Sequence, residues 1–176
     1  LDFNFIQTGH GNLNVAIGAA KRTHNVLAST SLHPVIQGEV CYEGILGTAL
    51  QDVQRFLFWS SMLQGTAGYS YGANGLWQIN RPEKPYGPSP HGMAWGDNPW
   101  TEALHFPGSA QIALGKKLFE RYPWWQFRPH PEWVTPHAGG EDYFKPFAAV
   151  IPGQVRMVYF PWPLAPWVQP SPHILE

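Results

Sequence analysis

The sequence predicts an α/β fold on a parallel sheet, followed by a short all-β region. Short apolar stretches begin near Phe3, Val35 and Gly68 at nearly equal intervals, and segments with helical spacing of apolar residues lie between them. Strands that alternate with helices in this way are typical of βαβ units, whose parallel strands are joined by right-handed crossovers. Near the end of the chain, two β-rich stretches flank Pro152-Gly153, which predicts a hairpin.

The first predicted strand lies within Leu1–Gly11, where Phe3 and Phe5 alternate with polar residues before a Gly-His-Gly sequence. Because a buried strand seldom begins at the first residue of a domain, we expect further chain upstream. Apolar residues near helical spacing then predict a helix within Asn12–Ser29.

The second strand is predicted over His33–Glu39, because the apolar pair Val35-Ile36 is bounded by turn residues, as in buried parallel strands. The clearest helix of the chain follows within Gly47–Leu63. Its predicted buried face consists of Val53, Phe56, Leu57, Ser60 and Leu63. Its predicted exposed face consists of Gln51, Gln54 and Arg55.

The third strand is predicted over Gly68–Asn80, with a glycine-rich exit. The next segment, Arg81–Phe106, has no periodicity but contains many aromatic residues. Loops of this length are usually functional or disordered, and the aromatic content argues against disorder. Pro107 then suits the first turn of a third helix, which we predict to run to Tyr122.

We predict a first domain over residues 1–127, because the sequence then becomes polar and rich in proline and glycine. A connection is predicted over residues 128–141. Residues 142–176 follow, with two predicted strands at Phe147–Ile151 and Val155–Phe160. A β-sandwich needs about 100 residues, so we expect this last region to be only the opening of such a domain.

The charge composition argues against a nucleic-acid partner, and the shortness of the apolar runs argues against a membrane span. Charged residues make up 13% of the chain, compared with about 25% in typical domains. The net charge is −1 and the 11 Lys and Arg residues are scattered, whereas nucleic-acid binding needs a clustered basic surface. No apolar run approaches the ~20 residues that cross a bilayer. We therefore predict no nucleic-acid partner and no membrane span.

Aromatic residues are the most unusual part of the composition, with 9 Trp, 7 Tyr and 10 Phe beside 18 Gly and 18 Pro. Aromatic rings offer flat apolar faces with polar edges, which suits a carbohydrate-binding cleft. The same composition suits a well-packed core with many turns. Composition alone leaves both interpretations open.

The principal candidate for catalysis is Glu39, a carboxylate at the predicted end of a buried strand. In barrel enzymes the catalytic groups lie at the carboxyl ends of the strands. A retaining glycosidase uses two carboxyl groups about 5 to 5.5 Å apart, one of which attacks the sugar. The alternative interpretation of Glu39 is a structural acid paired with Arg55 or with a backbone amide.

Further candidates surround Glu39 in the predicted fold. Glu43 is a poor second carboxylate, because barrel sites draw their groups from different strands; we expect it to fix the loop or to bind a sugar hydroxyl. His10 is expected to bind a substrate hydroxyl or to orient Glu39, or else to be satisfied by backbone groups. The remaining predicted substrate-binding residues lie at strand exits or in the long loop and are Tyr42, Tyr71, Trp77, His91 and Trp95.

The sequence offers little support for thiol or metal chemistry. Cys41 is the only cysteine, so an internal disulfide is excluded. As a nucleophile it would need a histidine base and an orienting group, and a small buried thiol is the commoner state. The 8 histidines lack the paired spacing of metal ligands. We predict no catalytic metal and no cofactor.

Several separate motifs together resemble one known family. In chain order they are GHG, HPVIQGEVCYEG, GYSYGANGLWQIN, GPSPHG, PGSAQ, RYPWWQF and FAAVIPGQVRMVYFP. This series resembles the apiosidase-like glycoside hydrolases. These are bacterial enzymes with a (β/α)8 catalytic barrel and a small C-terminal β-sandwich, whose sequences were once catalogued as collagenases or collagen-binding proteins.

The resemblance implies that the chain is a C-terminal fragment. It would contain the last three βα units of a (β/α)8 TIM barrel, with the strands near Phe3, Val35 and Gly68 as the sixth, seventh and eighth, followed by the first strands of a β-sandwich. The resemblance implies that Glu39 is the nucleophile and that the acid/base lies in the missing N-terminal half of the barrel. It also implies hydrolysis of an oligo- or polysaccharide, complex and plant-type, by a secreted or periplasmic enzyme.

Two other functions stay open at this point. The aromatic content and the β-rich end also suit a non-catalytic carbohydrate- or matrix-binding module. Collagen proteolysis is a weaker alternative, because it would need a metal site or a catalytic triad that the sequence does not display.

Overall fold

The computed structural model describes residues 2–29, 33–88, 95–161 and 169–170. Over these residues the fold is mixed α/β. A three-stranded parallel sheet with its connecting helices comes first, and antiparallel strands follow. The predicted order of an α/β part and a β part is confirmed.

The parallel sheet has the strand order β1-β2-β3. Its elements in chain order are strand β1 (Asn4–Gln7), helix α1 (Leu13–Ser29), strand β2 (Val35–Glu39), helix α2 (Gln51–Leu63) and strand β3 (Gly68–Tyr69). Both strand pairs are parallel, as the predicted βαβ pattern requires. All three strands therefore end at one edge of the sheet, where the loops that follow them meet.

A β-bulge sets the register at this edge. Ile6 lies beside Gln37, but the register then shifts so that Gln7 lies beside Glu39 and Gly38 has no partner on β1. A bulge of this kind re-aims the side chains that follow it. The side chains of Gln7 and Glu39 consequently lie next to each other at the carboxyl edge of the sheet.

The third strand is shorter than predicted. It covers Gly68–Tyr69 only, whereas the prediction extends it to Asn80. The residues after it form turns, and Gly75 has a φ of 93°. A Cβ added at Gly75 would lie 2.1 Å from the backbone oxygen of Asn98. The strand has already ended at Tyr69 when the chain reaches Gly75, and the left-handed conformation of Gly75 belongs to the turns that follow.

Helix α2 packs against helix α1, strand β3 and the antiparallel strands near the end of the chain. The predicted buried face is confirmed and consists of Val53, Phe56, Leu57, Ser60 and Leu63. The prediction that Gln54 is exposed is wrong, because its side chain is fully buried. Its Nε2 donates to the backbone oxygens of Cys41 at 2.8 Å and Ala49 at 3.3 Å. This amide ties α2 to the loop that follows β2.

Replacing Gln54 by alanine is expected to lower the free energy of unfolding by about 2 kcal/mol, because two buried backbone oxygens lose their donor and a cavity forms. Urea unfolding followed by circular dichroism measures the change. The control is Gln154→Ala in an exposed turn, for which we expect a change of less than about 0.5 kcal/mol. Equal effects of the two substitutions would contradict the structural role of Gln54.

Two further helices follow the parallel sheet. Helix α3 (Trp100–Ala103) is a single turn inside the predicted aperiodic loop, and α4 (Pro107–Phe119) begins at the proline predicted to open a helix. Helix α4 packs along α2, where a Cβ added at Gly115 would lie 2.4 Å from the ring of Phe58.

His91, in the predicted loop Arg81–Phe106, lies outside the described residues. None of the helices in the described ranges is long and apolar enough to cross a membrane.

The second part of the structure consists of short strands. In chain order they are β4 (Arg128–Pro129), β5 (Val134–Thr135), β6 (Phe147–Ile151), β7 (Val155–Tyr159) and β8 (Gln169–Pro170). Strands β4, β6 and β7 form one antiparallel sheet, in which β6 and β7 pair as the predicted hairpin, and β5 pairs with β8. The segment predicted as a connection thus supplies β4 and β5. The domain boundaries stay a prediction.

One hydrophobic core extends through both parts. The ring of Phe56 on α2 lies 6.3 Å from that of Phe147 on β6, and Phe119 on α4 lies 5.4 Å from Phe127, measured between ring centroids. Edge-to-face aromatic contacts at these distances are favourable. The antiparallel sheet therefore packs on the helices that support the parallel sheet.

Candidate active site

The end of β2 and the loops that follow β2 and β3 line a small cavity at the carboxyl edge of the sheet. Its volume is about 230 Å³. The residues that line it are Gly38, Glu39, Tyr42, Ser70, Tyr71, Gly72, Ala73, Leu76 and Trp77. Glu39 is the only carboxylate among these lining residues, so it dominates the local charge.

Glu39 is the last residue of β2, and two side chains hold its carboxylate. Nε2 of Gln7 donates to Oε2 at 2.6 Å, and Nε2 of His10 lies 3.0 Å from Oε1. Both partners come from β1 and the loop after it. The Glu39 side chain is 30% exposed. The carboxylate is therefore fixed in orientation and open to a ligand.

The structure does not pair Glu39 with Arg55. The guanidinium of Arg55 donates to Oε1 of Gln111 on α4. In the described ranges, the ion-pair geometry of Glu39 involves His10 alone, which carries a charge only when protonated. Among the residues that the structure describes, Glu39 thus has no permanent cationic partner of the kind that a structural acid has.

His10 is held between aromatic rings. Its ring centroid lies 4.4 Å from that of Tyr42 and 5.6 Å from that of Trp95. Because a carboxylate only accepts hydrogen bonds, Nε2 of His10 carries the hydrogen that it shares with Glu39. Nδ1 is buried and has no partner among the described residues. The imidazole is thus oriented by Glu39 and by packing, and no backbone group in the described part of the chain satisfies it.

Tyr42 adds a neutral donor beside Glu39. Burial, the negative charge of Glu39 and a hydrogen bond with Glu39, in decreasing order, raise the pKa of Tyr42 to about 12. The phenol therefore keeps its proton at physiological pH and can share it with the carboxylate.

Trp77 extends the aromatic surface at the mouth of the cavity. Its ring centroid lies 6.5 Å from Tyr42, 5.9 Å from Trp95 and 5.0 Å from Tyr86. The side chain is 45% exposed. A large exposed ring beside a cavity lined by a carboxylate and by hydroxyl-bearing side chains is suited to stacking on the apolar face of a sugar.

Glu43 has an environment unlike that of Glu39. It is 1% exposed. Its Oε2 accepts from the Tyr71 hydroxyl at 2.6 Å, and its Oε1 accepts from the backbone N–H of Gly108 at 3.0 Å. The carboxylate thereby joins the loop after β2 to the loop after β3 and to the first turn of α4.

The structure brings most of the predicted site residues to one edge of the sheet. These are His10, Glu39, Tyr42, Glu43, Tyr71, Trp77 and Trp95. His91 falls outside the described residues. Sequence reasoning missed Gln7, which contacts Glu39 directly. A polar residue at the end of the neighbouring parallel strand was the available signal for it.

Cys41 has no features of a nucleophile. The thiol is fully buried and donates to the backbone oxygen of Gly9 at 3.3 Å. Burial raises its pKa, which disfavours the reactive thiolate. Within the described ranges, no three side chains of the His, Cys, Asp or Glu type form a group that could hold a metal ion.

The family is decided by a match that covers most of the chain. A model of the apiosidase-like catalytic domain matches residues 1–126. The chain belongs to the apiosidase-like family. The matched region of this apiosidase-like chain contains the parallel sheet, the helices up to α4 and the cavity, and it ends shortly before β4.

Solved structures similar to this apiosidase-like chain are glycoside hydrolases. A protein described as a glycoside hydrolase is 24% identical, with a TM-score of 0.69, over 85% of this chain and 37% of that one. A glycoside hydrolase family 5 protein from Bacteroides vulgatus is 28% identical, with a TM-score of 0.65, over 85% of this chain and 36% of that one. The chain thus spans little more than a third of these structures. A search among curated proteins found no match.

Proposed function

We propose that the complete protein is a retaining glycoside hydrolase in which Glu39 is the nucleophile. The observation that carries this proposal is the Glu39 carboxylate, which ends a parallel strand, is oriented by Gln7 and His10, and lines an aromatic-walled cavity. Membership of the apiosidase-like family supports the reaction class.

In the proposed reaction, a Glu39 oxygen attacks the anomeric carbon while the bond to the leaving oxygen breaks and a second carboxylic acid protonates that oxygen. Water then attacks the glycosyl-enzyme ester and releases the sugar with its original configuration. Hydrogen bonds from Gln7 and His10, with the neutral phenol of Tyr42 beside them, stabilise the Glu39 carboxylate as it departs in this second step.

The acid/base is proposed to lie on a part of the enzyme outside this chain. Glu39 is the only carboxylate among the described residues that line the cavity, and both oxygens of Glu43 are occupied. A retaining enzyme needs its second carboxyl group about 5 to 5.5 Å from the first. We assign β1 to β3 to the sixth, seventh and eighth strands of a (β/α)8 barrel, whose earlier strands supply this group. Strands β4 to β8 are assigned to the opening of a β-sandwich.

The proposed substrate is an oligo- or polysaccharide of the complex plant type, and the proposed location is outside the cell or in the periplasm. The support for a sugar is the exposed ring of Trp77 beside Tyr42 and Glu39. Rings at such positions stack on sugar faces while polar groups bind the hydroxyls.

The stereochemical course of hydrolysis tests the proposal. The complete protein is incubated with a p-nitrophenyl glycoside that it cleaves, and proton NMR identifies the anomer that forms first. We expect the configuration of the substrate to be retained, because two displacements occur at one carbon. An inverted first product contradicts a nucleophilic Glu39. Glycan binding without hydrolysis, unchanged by Glu39→Gln, would favour a non-catalytic carbohydrate-binding module.

A further inference from the structure

Glu43 is a buried acid to which the proposed reaction gives no chemical step. In the described ranges no Lys or Arg side chain forms an ion pair with it. Removing a carboxylate from water is costly unless hydrogen bonds replace its hydration. The side chains and backbone groups that do so are the Tyr71 hydroxyl and the Gly108 N–H. The role of Glu43 is therefore to be sought in its contacts with Tyr71 and Gly108.

The backbone of Glu43 is attached to the same loop as its side chain. Its N–H donates to the oxygen of Gly72 at 2.9 Å, and its oxygen accepts from the N–H of Asn74 at 2.8 Å. Tyr71 and Gly72 both line the cavity. Glu43 consequently fixes the wall of the cavity that the loop after β3 provides.

Two glycines, Gly108 and Gly72, lie so close to Glu43 and Tyr42 that neither glycine leaves room for a side chain of its own. A Cβ added at Gly108 would lie 2.2 Å from Oε2 of Glu43, and one added at Gly72 would lie 2.2 Å from Cδ1 of Tyr42. Distances below 3 Å are not found for real Cβ atoms. The carboxylate of Glu43 and the ring of Tyr42 thus occupy space that only glycine leaves free.

The two groups that donate hydrogen bonds to Glu43 differ in whether they can also accept one. The N–H of Gly108 can only donate, so Oε1 must accept from it. The Tyr71 hydroxyl has one hydrogen and gives it to Oε2, which leaves its oxygen able only to accept from other groups. Burial and the hydrogen bond to Glu43 raise the pKa of Tyr71 above its ordinary value, so the hydrogen stays in place. A sugar hydroxyl that meets the Tyr71 oxygen must therefore be the donor.

We propose that Glu43 is a positioning residue that holds Tyr71 against the cavity as a hydrogen-bond acceptor for a hydroxyl of the sugar. The inference rests on the proposed glycosidase function. Glu43 does not touch the sugar; it acts through the orientation of the Tyr71 ring and the direction of the hydroxyl hydrogen. The site thereby selects sugars that present a hydroxyl at this point.

A double-mutant cycle on Glu43 and Tyr71 tests the inference in the complete protein. In Glu43→Gln the amide oxygen remains available to Gly108, but the amide NH₂ faces Tyr71 and forces its hydrogen to turn away. With a p-nitrophenyl glycoside that the protein cleaves, we expect Glu43→Gln and Tyr71→Phe each to raise KM by about tenfold, as for one lost hydrogen bond. We expect kcat to change by less than about threefold in each, and the double variant to match Tyr71→Phe.

The control is Glu141→Gln, whose side chain is 91% exposed in the second part of the chain and should leave KM unchanged. Additive effects of Glu43→Gln and Tyr71→Phe would overturn the inference, because a merely structural Glu43 does not act through Tyr71. If thermal unfolding shows that Glu43→Gln does not fold, Tyr71→Phe decides alone, and an unchanged KM overturns the inference.

Failure of the proposed function is recognised separately, by full hydrolysis in Glu39→Gln measured in parallel. If Glu39→Gln hydrolyses fully, the glycoside is still cleaved, so the double-mutant cycle on Glu43 and Tyr71 can still be measured through KM. If no glycoside is hydrolysed, binding of the same variants to an array of plant cell-wall oligosaccharides replaces KM. Equal binding by wild type and Tyr71→Phe then overturns the inference.

Discussion

Replacing Glu39 by glutamine in the complete protein is expected to lower kcat/KM for a p-nitrophenyl glycoside by about a thousandfold or more, or ~4 kcal/mol in transition-state free energy. The amide is nearly the same size as the carboxylate, so the cavity keeps its shape beside Gln7 and His10. It cannot form the glycosyl ester that the first displacement requires. Steady-state kinetics give the loss, and circular dichroism with thermal unfolding verifies the fold.

A small external anion distinguishes a missing nucleophile from a damaged site. In Glu39→Ala, sodium azide can occupy the vacated space and attack the anomeric carbon while the nitrophenolate leaves. The product is then a glycosyl azide of inverted configuration, identified by NMR. The exposed Glu141→Gln is the control and should hydrolyse the glycoside at the wild-type rate. Undiminished hydrolysis by Glu39→Gln would contradict the assignment.

Replacing Gly108 by alanine is expected to lower the free energy of unfolding by about 3 kcal/mol, because the added methyl group meets a buried carboxylate that is held by two hydrogen bonds. The new Cβ would lie 2.2 Å from Oε2 of Glu43. Displacing Glu43 would leave the Gly108 N–H and the Tyr71 hydroxyl without their acceptor. Guanidinium unfolding followed by circular dichroism measures the loss.

The matched control for Gly108→Ala is Gly18→Ala in helix α1. There the added Cβ meets only the end of the flexible Arg22 side chain, at 3.3 Å. Alanine has a higher helix propensity than glycine, so we expect this variant to be as stable as wild type or more stable by about 0.5 to 1 kcal/mol. Similar stabilities of the two variants would contradict the close contact at Glu43.

The parallel sheet could be predicted from the sequence because its signals are local. Apolar pairs such as Val35-Ile36 and the buried face of α2 repeat at the periods of a strand and a helix. The end of β3 was predicted too late, because β3 pairs with β2 only through Gly68 and Tyr69, and the length of a strand pairing is not visible in the sequence of one strand. Gln54 was misplaced because polar residues are usually exposed, whereas here the amide serves two buried backbone oxygens.

Part of the candidate site could be predicted by the same local reasoning. Glu39 ends the second predicted strand and His10 lies at the end of the first, and parallel strands bring such residues to one edge. Gln7 was missed because its contact with Glu39 depends on the bulge, which is a property of two paired strands and is not visible in either one. The contact between Glu43 and Gly108 joins residues far apart in the chain, and no periodicity reports such a pair.

The bulge between β1 and β2 makes the position of the Glu39 carboxylate independent of the loop after β3. Glu39 owes its position to strand pairing and to Gln7 on the adjacent strand. The rings of Tyr71 and Trp77 belong to the loop after β3 and do not take part in that pairing. Under the proposed function, we expect exchange of this loop to change which sugar binds while the carboxylate keeps its position.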